Sequence, residues 1–193
     1  MCSPIEIGAG FWLLIAATWY FMDGAIVILT LTAAIAHELA HYAALRLCGA
    51  EIKKVRLTAF GAEMQIENEL ALSYGREILC ASAGPLCNVI CAVGCSFAEK
   101  ENEVFSLWAG IHAVLAVFNL LPFSASDGGR ALRAAMCAYF GVETGERVST
   151  VTGAVCSIGV CILSFWIMLR TGGNGFLLLG AVGLMLPMRK RYL

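Results

Sequence analysis

Apolar residues form long runs in this chain, and short polar stretches separate them. Six runs stand out: Ile7 to Met22, Ala25 to Leu47, Ile78 to Ala98, Val104 to Leu121, Val148 to Leu169 and Phe176 to Met188. A helix that crosses a bilayer needs about 20 predominantly apolar residues. The pattern therefore predicts an all-α polytopic membrane protein with about six transmembrane helices.

The longest polar stretch lies between the second and third runs and has a different period. Apolar and polar residues alternate over Val55–Phe60 and again over Met64–Glu67, and Gly61 lies between these two segments. Alternation broken by a glycine is typical of two strands joined by a turn. We therefore expect a small β-hairpin between helices 2 and 3. A short segment, Gly129 to Tyr139, precedes the fifth run.

Composition agrees with a membrane protein. The chain of 193 residues is 60% hydrophobic and 14% charged, and its mean hydropathy is +0.79. A soluble domain is about 45–50% apolar and about 25% charged. The sequence has no Pro- or Ser-rich linker and no clear repeat, so we expect one domain over residues 1–193. No Lys or Arg precedes the first apolar run, so a cleaved signal peptide is not expected.

Basic residues indicate how the predicted helices are oriented. With six spans and a cytoplasmic N-terminus, only Lys100 and Arg170 fall outside the cell. All the others fall inside: Arg46, Lys53, Lys54, Arg56, Arg76, Arg130, Arg133, Arg147, Arg189, Lys190 and Arg191. Because cytoplasmic loops are enriched in Lys and Arg, the asymmetry predicts a multi-pass protein of the cell membrane with both termini in the cytoplasm.

The second apolar run contains the sequence His-Glu-Leu-Ala-His. Its histidines, His37 and His41, are four residues apart and so lie on one helix face, where both imidazoles can reach one metal ion. Glu38 falls beside them, where it can take a proton from water. Ionisable groups inside a membrane are costly and commonly functional. The alternative is a pair of interior imidazoles that hydrogen-bond neighbouring helices.

A catalytic zinc site usually has three protein ligands, and a second polar cluster offers a candidate for the third. Asp127 follows the fourth run and supplies a carboxylate. Gly128 and Gly129 come after it and allow close approach of the backbone, while Pro122 ends the preceding helix. Such a turn is also ordinary at the end of a helix, so the pattern alone leaves its role open.

Taken together, these motifs resemble the site-2 protease family of intramembrane zinc metalloproteases. The resemblance lies in His37–His41, in Asn119-x-x-Pro122-x-x-x-x-Asp127-Gly128-Gly129, and in Ala83–Asn88, which is similar to the family's Ala-Gly-Pro-x-x-Asn signature. Phe60–Glu63 resembles a Phe-Gly-Gly hairpin of the branch that includes the stage IV sporulation factor B protease. Two positions depart from the family pattern: Ala125 stands where proline is frequent, and Ala62 replaces the second glycine of that hairpin.

The resemblance implies a zinc metalloendopeptidase that cleaves a membrane-associated protein within or near its transmembrane segment. It would be a single intramembrane metalloprotease domain over residues 1–193, without the appended peptide-binding or nucleotide-sensing domain that some relatives carry. One Zn²⁺ would be held by His37, His41 and Asp127, with Glu38 as the catalytic base. The residues expected to bind substrate are Asn119, Pro122, Gly128, Gly84 and Asn88. The expected partners are a membrane-tethered protein substrate, for example a pro-sigma factor in sporulation, an inhibitory membrane protein and the lipid bilayer, but no nucleic acid.

Two other functions are compatible with the sequence. A site-2-type protease could act instead on anti-sigma factors or signal-peptide remnants, and a non-catalytic membrane scaffold or carrier could keep a metal-binding core. His112 lies seven residues before Asn119, on the same side of the fourth helix. It could line a water cavity or act as an acid behind the ligands, but a single helical histidine is more often a hydrogen-bonded interior group, and it is not counted as a ligand. The nine cysteines include no C-x-x-C pair and are interpreted as small packing residues.

Overall fold

The computed structural model describes residues 5–58, 61–67, 72–98, 102–123 and 126–171. In this part of the chain there are six helices and three strands, which follow one another as β1 (Ile5–Ile7), α1 (Ala9–Phe21), α2 (Gly24–Leu47), β2 (Ile52–Thr58), β3 (Gly61–Ile66), α3 (Tyr74–Ala98), α4 (Glu103–Leu120), α5 (Asp127–Phe140) and α6 (Val142–Thr171). The predominantly helical class predicted from the sequence is confirmed.

Four of the described helices, α2, α3, α4 and α6, are long and apolar enough to cross a membrane. Helix α1 forms within the first predicted span but has only 13 residues. At about 1.5 Å per residue it is about 20 Å long, which is shorter than the apolar core of a bilayer. The sixth predicted span, Phe176 to Met188, lies outside the described residues, so the count of six spans and the orientation of the termini stay predictions.

Large apolar side chains cover the outer faces of the spanning helices. Examples are Leu86 and Ile90 on α3, Val114 and Val117 on α4, and Val155, Ile162 and Leu163 on α6. An exposed apolar surface of this extent is unfavourable in water and favourable in lipid. The helices thus belong to a membrane protein.

The predicted hairpin is present as β2 and β3, which pair antiparallel with Val55 opposite Met64. A third strand, β1, pairs parallel to β2 with Ile5 opposite Val55, so the sheet has the order β1-β2-β3. The hairpin packs on the end of α2 and the start of α3 through a small apolar core of Ala44, Leu45, Ala50, Ile52, Met64, Ile66 and Cys80. This packing holds one end of the sheet against the helix that carries both histidines.

Helix α3 packs against α2, α4 and α5, and α6 packs against α5. Gly141 adopts a positive φ of 83° between α5 and α6 and lets the chain turn there. The fifth predicted span lies within α6, which begins six residues earlier than predicted, at Val142. The eight described cysteines are all free thiols.

Candidate metal centre

Two histidines and one aspartate from distant parts of the chain meet between α2 and α5. The Nε2 atoms of His37 and His41 each lie 3.0 Å from Oδ2 of Asp127, and they lie 3.1 Å from each other. All three side chains are buried. The structure thus brings together the three residues that the sequence analysis proposed as metal ligands.

The position of Asp127 depends on two glycines at the start of α5. A Cβ atom on Gly128 would lie 2.1 Å from the carbonyl oxygen of Leu120, and one on Gly129 would lie 1.7 Å from that of Phe123. Both distances are far below van der Waals contact, so α5 can pack on the end of α4 only without side chains here. This close packing brings Asp127 back toward α2.

Ser126 fixes the first turn of α5. Its Oγ accepts a hydrogen bond from the backbone N–H of Gly129 at 3.1 Å, and its hydroxyl contacts the carbonyl oxygens of Leu121 and Phe123. An oxygen acceptor at the residue before a helix satisfies one of its unpaired N–H groups. Asp127 follows as the first residue of α5, where a negative charge interacts favourably with the helix dipole.

A cation on the same helix holds the second carboxylate oxygen of Asp127. The guanidinium of Arg130 donates to Oδ1 at 2.6 Å. Burial by itself raises the pKa of Asp127, but the hydrogen bonds from His37 and His41 and the charge of Arg130 outweigh it and bring this pKa below its ordinary value. The carboxylate is therefore ionised. Sequence reasoning missed this contact, although the spacing of three residues within a helix is a signal for it.

The protonation of His41 is determined by its neighbour on α3. Its Nδ1 lies 2.8 Å from the backbone carbonyl oxygen of Cys80. A carbonyl can only accept a hydrogen bond, so Nδ1 carries a proton and donates to it. Nε2 faces Asp127, where it either donates a hydrogen bond from a second proton or offers a lone pair to a cation. Two acceptors that lie 3.0 Å apart repel each other unless positive charge is present, either a second proton on the ring or a cation.

The residues present fit a zinc ion. The three ligand atoms are two imidazole nitrogens and a carboxylate oxygen, all within 4.8 Å of one another. Tetrahedral zinc with ligands at about 2.0–2.1 Å places them about 3.3 Å apart, close to the separations seen here. A Cβ on Gly84 would lie 2.3 Å from Nε2 of His41 and 2.7 Å from that of His37, so only a glycine leaves this space open.

Glu38 lies beside the histidines and points to the hairpin. Its side chain is half-buried, and Oε1 accepts a hydrogen bond from the backbone N–H of Ala62 on β3 at 3.1 Å. A Cβ on Gly61, where φ is +119°, would lie 3.0 Å from the same oxygen. The predicted base and the edge of β3 are therefore in direct contact.

The other predicted site residues fall into two groups. Gly84 and Asn88 on α3 lie against the histidine pair, and Nδ2 of Asn88 is 3.0 Å from Nδ1 of His37. Asn119 and Pro122 are half-buried in the segment that leads to Asp127, and the Asn119 amide donates to a carbonyl of its own helix. The predicted roles of these residues and of Gly128 in substrate binding stay predictions.

One contact on α4 was not foreseen from the sequence. Nδ1 of His112 lies 3.1 Å from Oδ1 of Asn88, and both side chains are buried. His112 is thus linked to His37 through Asn88. The interpretation of His112 as a bonded interior group agrees with this contact, but a sequence cannot show which partner an interior histidine has.

No protein-family model matches the chain. Over 162 residues it is 25% identical to a protein of Synechocystis sp. that bears the name "Putative zinc metalloprotease sll0528"; the match covers 74% of this chain and 42% of that protein. The chain therefore spans less than half the length of this curated relative.

A solved structure shows the same fold. The site-2 protease from Methanocaldococcus jannaschii superimposes with a TM-score of 0.69 at 20% sequence identity, and the match covers 95% of this chain and 88% of that one. The chain therefore has the fold of a site-2 protease.

Proposed function

We propose that this protein is an intramembrane zinc metalloprotease of the site-2 type. The observation that carries the proposal is the convergence of two imidazoles from one apolar helix with a carboxylate from a distant turn, His37 and His41 with Asp127. The fold and the similarity to a protein named as a zinc metalloprotease support it.

In this proposal His37, His41 and Asp127 hold one zinc ion. Bound zinc supplies a Lewis acid that polarises the substrate carbonyl and lowers the pKa of a coordinated water to about 7. Glu38 takes a proton from the attacking water and passes it to the departing amine, as a general base and then a general acid. Arg130 keeps Asp127 ionised and oriented through the hydrogen bond to Oδ1.

The hairpin is suited to receive an unwound substrate. Among the described strands β3 pairs with β2 along one edge, and on its other side the N–H of Ala62 meets Glu38. An extended peptide that adds to this edge gains backbone hydrogen bonds, and its carbonyl groups come beside the base. We propose that Asn119, Pro122 and Gly128, in the segment before and at the start of α5, contact the same peptide.

The substrate we propose is a membrane-tethered protein. A transmembrane helix hides its amides in its own hydrogen bonds, so local unwinding has to precede cleavage. The resemblance of the hairpin to the sporulation branch favours the pro-form of a sigma factor as substrate and an inhibitory membrane protein as regulator.

Co-expression with candidate tethered proteins tests the proposal. We expect the wild-type chain to cleave such a reporter and Glu38→Gln to slow cleavage by about 10²- to 10⁴-fold, the usual contribution of a general base. Purified Glu38→Gln should still contain one zinc ion per chain. Glu143→Gln is the matched control, because this exposed glutamate lies at the start of α6 and its loss should leave cleavage unchanged.

Two results would contradict the proposal. One is a Glu38→Gln protein that still cleaves the reporter at the wild-type rate. The other is a purified wild-type protein that cleaves no tethered reporter; a scaffold or carrier with a metal-binding core would bind zinc without cleavage.

A further inference from the structure

Three buried polar side chains form a line from α4 across α3 to α2. His112 contacts Asn88 at 3.1 Å, and Asn88 contacts His37 at 3.0 Å. Their residues are only 1%, 0% and 6% exposed, respectively. Each helix contributes one member, and the line ends on the ring nitrogen of His37 that faces away from Asp127. The ring of Trp108 lies beside His112, with centroids 5.4 Å apart.

Metal binding by His37 requires one particular orientation of the Asn88 carboxamide. To bind a cation through Nε2, the neutral imidazole must carry its proton on Nδ1. The carboxamide of Asn88 faces that Nδ1, so its oxygen has to accept the proton's hydrogen bond. The oxygen and nitrogen of a carboxamide occupy nearly equivalent positions. With the two exchanged, the contact at 3.0 Å becomes Nδ1–H of His37 donating to Oδ1 of Asn88.

Exchanging the oxygen and nitrogen of the Asn88 carboxamide also determines which of these atoms faces His112. The amide nitrogen of Asn88 then faces Nδ1 of His112, which lies 3.1 Å away and accepts from it. His112 in this tautomer offers a lone pair and no proton at Nδ1, so it favours one orientation of the carboxamide over the other. A leucine at position 112 would leave that amide N–H buried without a partner.

We propose that His112 and Asn88 are positioning residues for the metal centre: His112 orients the Asn88 carboxamide, which in turn fixes the tautomer and ring orientation of His37. This inference rests on the proposed function, since it requires His37 to bind a metal. Partners of this kind raise the basicity of a ligating histidine and hold its ring in place.

Zinc affinity of the purified protein tests the proposal, measured by competition with a chromophoric chelator. Asn88→Leu should weaken zinc binding by about 10- to 100-fold, the range found when groups behind a metal ligand are removed. His112→Leu should weaken it by about 10-fold. His112→Asn is the conservative control, because its side-chain oxygen can take the place of Nδ1 as acceptor. It should restore affinity to within about threefold of wild type.

The thermal unfolding midpoint of each metal-free variant separates positioning from packing. A merely structural role would lower the midpoint and leave the zinc affinity of the folded protein unchanged, and that result would overturn the proposal. Wild-type affinity in a folded His112→Leu protein would also overturn it, even if Asn88→Leu fails to fold. A wild-type protein that binds no zinc would instead refute the proposed function itself.

Discussion

Gly84 of α3 lies so close to His41 of α2 that a single added carbon would fill the space between the candidate metal ligands. A Cβ at this position would be 2.3 Å from Nε2 of His41, less than the sum of the van der Waals radii. The helix crossing and the space for an ion therefore depend on the same missing side chain, as is common where membrane helices pack closely.

Gly84→Ala is expected to disrupt the metal centre. We expect zinc binding about 10- to 100-fold weaker and a folded state less stable by about 1–3 kcal/mol, because the added methyl group pushes the imidazoles apart. Gly94→Ala is the matched control on the same helix, since a Cβ there meets nothing within 4 Å. Chelator competition and thermal unfolding measure the two effects; equal zinc affinity in both variants would contradict the prediction.

Gly129→Ala is expected to displace Asp127. The new Cβ would overlap the carbonyl oxygen of Phe123 at 1.7 Å, so the first turn of α5 must move away from the segment that follows α4. We expect a loss of about 1–3 kcal/mol in the free energy of unfolding together with a loss of zinc. In Gly159→Ala of α6 the Cβ has open space, and the helix should gain up to about 1 kcal/mol. Retention of full zinc content by Gly129→Ala would show that α5 does not depend on this contact.

The stability of the metal-free protein should depend on pH through Asp127. Its pKa is lower in the folded chain than its ordinary value, so its stabilising effect is complete above about pH 4. It is lost as the pH falls toward the folded-state pKa. We expect the stability difference between wild type and Asp127→Asn to keep its full value from about pH 6 down to about pH 5 and to shrink from there toward pH 3.

Thermal unfolding of the chelator-treated proteins measures this difference. Glu143→Gln replaces an exposed carboxylate by an amide and should follow the wild-type pH dependence. A stability difference between wild type and Asp127→Asn that stays constant over this range would mean that the histidines and Arg130 do not stabilise the ionised carboxylate.

Gly61→Ala is expected to lower catalytic activity through contact with Glu38, beyond any effect of backbone strain. Gly61 has φ +119° and its Cβ would lie 3.0 Å from the Glu38 carboxylate, whereas Gly49 has φ +81° and open space around it. Alanine at either position should cost about 1–3 kcal/mol of stability, because both conformations disfavour a side chain. Cleavage of a tethered reporter should fall only in Gly61→Ala. A comparable fall in Gly49→Ala would attribute the effect to strain.

Local patterns of the sequence predicted the histidine pair and the hairpin because spacing along one element determines them. His37 and His41 share a face in any helix, and alternation over Val55–Phe60 favours a strand wherever the chain goes. The strand β1 was not predicted, since Ile5–Ile7 is too short to show a period and merges with the apolar residues that follow. The start of α6 at Val142 was missed because its first turns contain charged residues, which a hydropathy pattern assigns to a loop.

Contacts between elements could not be predicted from one sequence. The link from Asn88 to both His37 and His112 requires the crossing of three helices. The hydrogen bond that His41 donates to the Cys80 carbonyl ends on a backbone atom, which carries no signal in the side-chain pattern. Asp127 was proposed as the third ligand from its polar setting and the family resemblance, whereas its approach to the histidines depends on tight packing at Gly128 and Gly129.

The hydrogen bond between the Ala62 amide and the Glu38 carboxylate ties the acid group to one point of β3. A peptide strand advances about 3.3 Å per residue. Each residue of a substrate peptide that pairs with this edge would therefore lie at a fixed distance from the Glu38 carboxylate. In the proposed function, the number of residues between the paired stretch and the scissile bond would then determine where the substrate is cleaved, and the identity of its side chains would matter less. Substrates of unrelated sequence could be cleaved at the same number of residues from the paired stretch.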